Sequence, residues 1–275
     1  MMVKYILFGV IIFLCYQTNM LLGLFAFIAT FLYILYANIP TFYSLRGNKA
    51  VNEKDFDKAL LMFKKAYDTK RASGSISLSY GILSLRCGHP DEALNVFNTI
   101  ILYSKAKDMI KNQAKQYRIL TYYKLGQESE ALEEAQEIFD KFKNTVSYAL
   151  LCYLKLATNQ PIDEVLPLCE EAYEYNNEDR DIVDNLALAN IRIGNFDKAK
   201  ELVDIMIEKF PSFIEAYYHG SIVYKKLGNL NKAKELINAI DDNCTRTYLT
   251  TVSVEEIDEL KNSLNWLESI INDKI

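Results

Sequence analysis

Five alanines recur along the chain at nearly regular intervals. They are separated by 34, 38, 68 and 34 residues, which is a 34-residue period with one silent copy and one four-residue insertion. A period of this length is typical of solenoids in which every repeat is a pair of helices. The spacing therefore predicts an all-α solenoid of antiparallel helix pairs. The alanines are Ala59, Ala93, Ala131, Ala199 and Ala233.

A glycine precedes four of these alanines by five residues, at positions 88, 126, 194 and 228. Glycine adopts positive φ without a steric penalty, so it commonly ends a helix. We therefore expect these glycines at the turn within each helix pair. Short polar side chains follow the turns and are expected to cap the second helices. These candidate caps are Asp91, Ser129, Asp163 and Asp197.

The repeated pattern resembles tetratricopeptide (TPR) repeats. The runs Tyr-x-Lys-Leu-Gly at 122–126 and 224–228, and Phe210-Pro211 at the end of a repeat, carry the resemblance together with the alanines. The resemblance implies a right-handed solenoid of about six repeats. They are assigned to 40–73, 74–107, 112–145, 146–179, 180–213 and 214–247.

Two of the assigned repeats depart from the pattern. The copy at 146–179 lacks a turn glycine and has Val165 in place of the alanine, although Cys169 and Ala172 keep its phase. Four extra residues near Lys107 precede the third copy, and they amount to about one helical turn. A helix lengthened by one turn keeps its buried face nearly in phase.

Residues 248–275 are expected to form a terminal capping helix. Ser253 and Glu256 have the spacing of a capping box. A final helix with one polar face shields the last repeat of a solenoid from water. A dimerisation helix is the alternative. Apolar residues at helical spacing would form its buried face: Ile257, Leu260, Leu264, Leu267 and Ile271.

Residues 1–39 form a different kind of segment, because positions 5–37 contain no charge. The polar triplet 17–19 divides it, and its second half approaches the ~20 residues needed to cross a bilayer. It is either a hairpin of two transmembrane helices or a single span, with the first half lying in the membrane interface or extending one tilted helix. A cleaved signal peptide is disfavoured because its apolar core would be far shorter. A buried soluble helix pair is disfavoured because such a pair would keep a polar face.

Charge predicts which side of the membrane the repeats occupy. Between Thr41 and Arg71 there are eight basic and four acidic residues, whereas residues 72–275 contain 22 basic and 32 acidic ones. Basic flanks remain cytoplasmic and also attract anionic lipids. We therefore expect a cell-membrane protein whose repeats face the cytoplasm. Its richness in Ile, Lys, Asn and Tyr favours a bacterial source.

Composition and motifs disfavour several functional classes. The formal charge is −5 without a basic stripe, so a nucleic-acid partner is not expected. Five scattered cysteines without a C-x-x-C pair suit a reducing compartment. Neither histidine has metal-ligand spacing, and phosphate loops and nucleophile motifs are absent from the sequence. We expect no catalysis, cofactor, metal or small-molecule substrate.

The resemblance to TPR repeats implies a concave groove, lined by the first helices, that binds a protein or peptide partner. Four basic residues at equivalent places, near the end of the first helix in each of four repeats, could form a ladder for an acidic peptide. The alternative is that lysine before Leu-Gly is ordinary usage in the family. The expected groove residues are Leu78, Ile82, Arg86, Leu120, Tyr123, Lys124, Leu188, Arg192, Tyr218, Ile222 and Lys226.

One TPR subclass clamps the carboxylate of chaperone tails with Lys, Asn and Arg, and that function is not expected here. The places of its basic residues hold Ser44, Gln113 and Tyr117. The sequence instead favours a membrane-anchored scaffold. Two rivals are open: an extracytoplasmic repeat domain serving envelope assembly, and an accessory chaperone for membrane-protein insertion whose apolar hairpin touches clients.

Overall fold

The computed structural model describes residues 2–103, 105–210 and 212–272, and all regular secondary structure in these ranges is α-helical. The prediction of an all-α chain is therefore confirmed for the described part. The helices are α1 (Met2–Thr18), α2 (Met20–Asn52), α3 (Phe56–Asp68), α4 (Gly74–Arg86), α5 (Pro90–Tyr103), α6 (Asp108–Lys124), α7 (Glu128–Lys141), α8 (Thr145–Ala157), α9 (Ile162–Tyr175), α10 (Arg180–Ile193), α11 (Phe196–Lys209), α12 (Ile214–Lys226), α13 (Leu230–Asn243) and α14 (Val254–Asn272).

The chain divides into two compact units. The first contains residues 1–87 and 95–114, and the second contains 88–94 and 115–275. Within the second unit, α8 packs on α10 and α10 packs on α12, while each of these helices also packs on the helix that follows it. First helices thus stack beside first helices, as in a solenoid. Pro211, which was expected to close its repeat, lies outside the described residues.

Close packing between the two helices of a pair explains the recurring small residues. All five repeat alanines are fully buried. In the α4–α5 pair, the ring of Phe97 lies against Gly81, and a Cβ at Gly81 would be 2.5 Å from Cε1 of that ring. Gly47 and Phe63 have the same relation, also at 2.5 Å. Glycine in the first helix therefore makes room for an aromatic ring from the second.

The turns within the pairs depend on residues that tolerate positive φ. Gly88, Gly126, Gly194 and Gly228 have φ between 76° and 82°, which confirms their predicted role. The degenerate fourth pair uses Asn159 instead, with φ of 54° in the loop between α8 and α9. Asparagine is among the few side chains that adopt this conformation readily. The pair thus turns without a glycine.

The predicted helix caps were wrong by two residues. Asp197 lies in the first turn of α11, and the side chain of Asn195 accepts the Lys198 N–H as the N-cap. Asn229 caps α13 in the same way. The error arises because these helices begin two residues after the turn glycine, one residue before the expected cap. The candidates Asp91, Ser129 and Asp163 likewise lie inside the first turns of their helices.

The four-residue insertion lengthens one helix, as predicted. Helix α6 has 17 residues, whereas the first helices of the neighbouring pairs, α4 and α8, have 13 each. The difference is about one turn.

Helices α1 and α2 pack against each other as an antiparallel hairpin. Asn19 is the N-cap of α2, and its side chain accepts the backbone N–H groups of Leu21 and Leu22. The rings of Phe8 and Tyr33 pack edge to face, with centroids 5.6 Å apart. Helix α2 then continues through Pro40 into the first repeat and ends at Asn52. The hairpin is therefore joined to the solenoid by a continuous helix.

The C-terminal helix packs as a cap on the last pair. Ser253 N–H donates to Glu256 Oε2 at 2.7 Å, and Glu256 N–H donates to Ser253 Oγ at 3.1 Å, which confirms the capping box. Ile257, Leu260 and Leu264 join a core cluster with residues of α12 and α13. The side chain of Ile271 lies outside the described residues.

Candidate functional site

The residues predicted for the groove fall in both units, and each unit is described separately. Leu78, Ile82 and Arg86 are on α4 in the first unit, where Leu78 is buried, Ile82 is half-buried and Arg86 is exposed. The other eight lie in the second unit on α6, α10 and α12. The first helices of the second unit therefore define the candidate site.

The apolar members of the predicted set that lie in the second unit are half-buried. Leu120, Tyr123 and Leu188 pack against the core that extends from α6 to α12. Tyr218 and Ile222 pack against the core of the last pair and α14. The ring of Tyr123 also meets Tyr153 of α8 edge to face, with centroids 5.6 Å apart. These side chains thus belong partly to the interior.

The structure separates the predicted basic ladder into different environments. Arg192 and Lys226 are exposed in the last turns of α10 and α12. Lys124 is half-buried, and burial lowers its pKa while the negative charge of Glu215 acts in the opposite direction. Lys124 therefore forms part of a local polar cluster on the first helices.

A buried ion pair lies in this cluster, and sequence reasoning missed it. His219 Nδ1 of α12 is 2.7 Å from Asp184 Oδ1 of α10, and both side chains are largely buried. Burial by itself lowers the pKa of His219, but the adjacent carboxylate and its hydrogen bond outweigh burial and raise the pKa above the ordinary value of 6.5. The pair joins two neighbouring first helices.

A second buried carboxylate was also missed. Glu215, in the first turn of α12, is 6% exposed. Its Oε1 accepts two hydrogen bonds, from the backbone N–H and the hydroxyl of Thr251, both at 2.9 Å. Thr251 belongs to the connection between α13 and α14. A buried carboxylate is costly unless it is hydrogen-bonded, so this connection stabilises Glu215.

That connection, residues 245–252, is named here the returning segment. It passes from Glu215 to the end of α6, where Lys124 Nζ lies 5.5 Å from the centroid of the Tyr248 ring. The Tyr248 hydroxyl donates a long hydrogen bond of 3.5 Å to the Lys124 carbonyl. The same ring lies beside the turn glycine Gly88. The segment thus contacts three parts of the second unit that are distant in sequence.

The returning segment is folded on itself as a short turn. Thr250 N–H donates to the Thr247 carbonyl, and Thr247 N–H donates to Thr250 Oγ1, each at 3.0 Å. Arg246 donates to the Val252 carbonyl at 2.6 Å. Both ends continue into helices that are packed in the last core cluster. The segment is therefore held in place at its ends and by its contacts with the first helices.

The ion pair between His219 and Asp184 predicts a pH dependence of stability. A histidine whose folded pKa is raised contributes stability that is complete below the unfolded pKa of about 6.5 and is lost as pH rises through the folded pKa. We expect the free energy of unfolding of the wild type to fall above pH 6.5. Urea denaturation of the detergent-purified chain between about pH 5.5 and 8.5, on either side of that unfolded pKa, would measure it.

The variant Asp184→Asn isolates the cause. Without the Asp184 carboxylate, burial disfavours the charged form of His219 and only the charges of Glu215 and Glu256 oppose it, so the loss of stability above pH 6.5 should shrink or reverse. Replacement of the exposed His89 by Gln is the matched control and should leave the wild-type profile unchanged. An unchanged profile in Asp184→Asn would contradict the assignment.

Solved structures share this fold. The chain matches a TPR protein from Parabacteroides merdae with a TM-score of 0.53 and 15% identity, over 82% of this chain and 99% of that one. It matches a thermophilic TPR protein from Thermus thermophilus with a TM-score of 0.56 and 16% identity, over 70% and 100%. It also matches the anaphase-promoting complex assembly Cut9–Hcn1 with a TM-score of 0.62 and 11% identity, over 82% and 42%.

At these identities the likeness concerns the fold. The chain has the fold of TPR solenoids, which confirms the fold class predicted from the alanine and glycine spacing. No protein-family model and no curated protein sequence matches the chain.

Proposed function

We propose that the chain is a membrane-anchored scaffold that binds a protein or peptide partner on the first helices of its repeats. The α1–α2 hairpin anchors it, and the solenoid projects into the cytoplasm. The TPR-type fold supports the binding role, and the exposed apolar hairpin supports the anchor. The observation that carries the proposal is the continuity of α2, which joins an apolar hairpin directly to the first repeat.

The surface of the hairpin suits lipid better than water. Large apolar side chains are exposed along both helices, among them Phe25 at 70% and Met20 at 71%. By length and composition, α2 is the one described helix that could cross a membrane, and α1 is a shorter apolar helix. An exposed apolar surface of this extent must be covered by lipid or by another protein surface. A buried soluble helix pair would hide these side chains from solvent.

The basic flank supports the cytoplasmic orientation. Arg46, Lys49 and Lys58 follow the apolar part of the hairpin in the sequence and are exposed. The Arg71 guanidinium lies 3.5 Å from the centroid of the Tyr36 ring, near the end of that apolar part. Cationic and aromatic side chains are enriched where a span meets the headgroups. In a hairpin with this flank inside, both chain ends lie on the cytoplasmic side.

Membrane fractionation combined with reporters at both termini tests the proposal. We expect the full chain in the carbonate-resistant membrane pellet, with both reporters cytoplasmic. A chain without residues 2–37 is the matched control and should move to the supernatant. A C-terminal reporter outside the cell would overturn the orientation and favour envelope assembly, and a full chain in the supernatant would overturn the anchor.

A further inference from the structure

We propose that the second unit binds an extended peptide that carries an aromatic residue three positions before a threonine or serine, and that the returning segment is its built-in competitor. The inference deepens the proposed scaffold function and rests on it. Two residues of the chain itself, Tyr248 and Thr251, indicate the chemistry of the partner, because they occupy two places on the first helices as a bound peptide would.

The first place is the buried carboxylate of Glu215. It accepts two hydrogen bonds from one residue, Thr251, through a backbone N–H and a hydroxyl. Neither donor belongs to a helix of the solenoid, so the carboxylate depends on the segment that lies over it. Any extended peptide with threonine or serine presents the same two donors. Valine presents only the N–H, so the site discriminates by the hydroxyl.

The second place is formed by Lys124 and Gly88. The Lys124 ammonium lies 5.5 Å from the centroid of the Tyr248 ring, within the range of a cation–π interaction. Gly88 stands at positive φ, and the position of a Cβ there would be 3.6 Å from the ring. A flat aromatic side chain fits against both. Aromatic anchors dominate the affinity of many protein interfaces.

The returning segment is more exposed than the helices around it. Tyr248 is 39% exposed, and Thr251 and Arg246 are also exposed, whereas Val252 is buried in the last core cluster. Displacing residues 245–251 would leave α13 and α14 packed together. The segment can therefore leave the site without unfolding the solenoid. Because the returning segment is tethered to the solenoid, its effective concentration at the site is about millimolar. A partner must compete with the segment at that concentration.

A synthetic peptide with the sequence of residues 245–253, labelled with a fluorophore, is the probe. Its binding to the full-length protein in detergent is measured by fluorescence anisotropy. The wild type should bind weakly because its own segment competes. In Tyr248→Ala/Thr251→Val the segment loses its aromatic ring and its hydroxyl, and the affinity for the probe should rise about tenfold or more. Adding Glu215→Leu to this variant should return the affinity to the wild-type level.

Matched peptides test the two anchors separately. Probe peptides with Ala at the position of Tyr248, or with Val at the position of Thr251, should each bind the double variant about tenfold more weakly than the parent probe. Each of these peptides lacks one of the two side-chain contacts. Should the double variant lose its helical circular dichroism, Thr251→Val alone is used, with a rise of about threefold expected.

Equal affinity of the wild type and the double variant would overturn the inference. So would a wild-type dimer in sedimentation that dissociates in the double variant, because the occupant would then be a second copy. The failure of the proposed function is distinguishable, because anchoring and orientation are measured by fractionation and reporters and do not involve the probe. Retained anchoring without probe binding overturns the partner chemistry alone.

Discussion

Replacing Phe97 by alanine is expected to lower the free energy of unfolding by about 3–5 kcal/mol, the cost typical of truncating a buried aromatic side chain. Phe97 is fully buried on α5 and fills the space above Gly81. The cavity left behind cannot collapse easily, because the helices of a pair are already in close contact. Urea denaturation of the full chain in detergent would measure the loss, with Leu61→Ala, an exposed position on α3, as the control.

At the same two positions, the change in stability caused by Gly81→Ala should have opposite signs with and without the Phe97 ring. Gly81→Ala in the wild type gains up to about 1 kcal/mol of helix propensity but drives a Cβ into the ring, and overpacking of this kind costs about 1–3 kcal/mol. We therefore expect it to destabilise the wild type. In Phe97→Ala the ring is absent, so the same substitution should stabilise. Equal effects in the two backgrounds would contradict the packing described for Gly81.

The fold could be predicted because its requirements are local. Ala93 must be small where two helix backbones approach, and Gly88 must adopt positive φ, so each leaves a periodic trace in the sequence. The caps were predicted two residues late because Asn195 and Asp197 are equally good cap residues by type. The length of the turn decides between them, and residue types do not encode it directly.

The candidate site could be predicted only in part. The assignment of groove positions to the first helices placed Tyr123, Lys124 and Tyr218 near the polar cluster. The pairing of Asp184 with His219, 35 residues apart, is one repeat in register, yet most positions at that spacing carry apolar contacts. The contact of Thr251 with Glu215 depends on the path of a loop, and repeat periodicity does not determine that path.

The second large effect concerns Arg118 and Glu134, which link α6 to α7. Arg118 Nε donates to Glu134 Oε2 at 3.1 Å, and the terminal amino group donates to the other carboxylate oxygen. The side chains are 18% and 14% exposed. Arginine remains charged under all conditions of folding, so removing the carboxylate deprives a largely dry cation of its bidentate countercharge. Glu134→Ala should therefore cost about 3 kcal/mol.

The control is the pair Glu137 and Lys141 on α7, which is exposed to water. Glu137→Ala should produce little measurable change, because exposed pairs contribute little and are screened by salt. Both are compared by urea denaturation. A cost for Glu137→Ala equal to that for Glu134→Ala would show that burial of the pair is not the cause.

A double substitution separates charge from packing and connects the pair to the site. Arg118→Met/Glu134→Leu replaces both ions by apolar side chains of similar length, and such replacements are often neutral or stabilising. We expect stability near that of the wild type.

Because α6 ends at Lys124, which lies against Tyr248, the double variant should also keep the returning segment in place and bind the probe peptide as weakly as the wild type. Glu134→Ala should instead loosen α6, and the affinity for the probe peptide should rise above that of the wild type. If the double variant bound the probe more tightly than the wild type and Glu134→Ala did not, α6 would have to influence the returning segment through contacts other than its last turn.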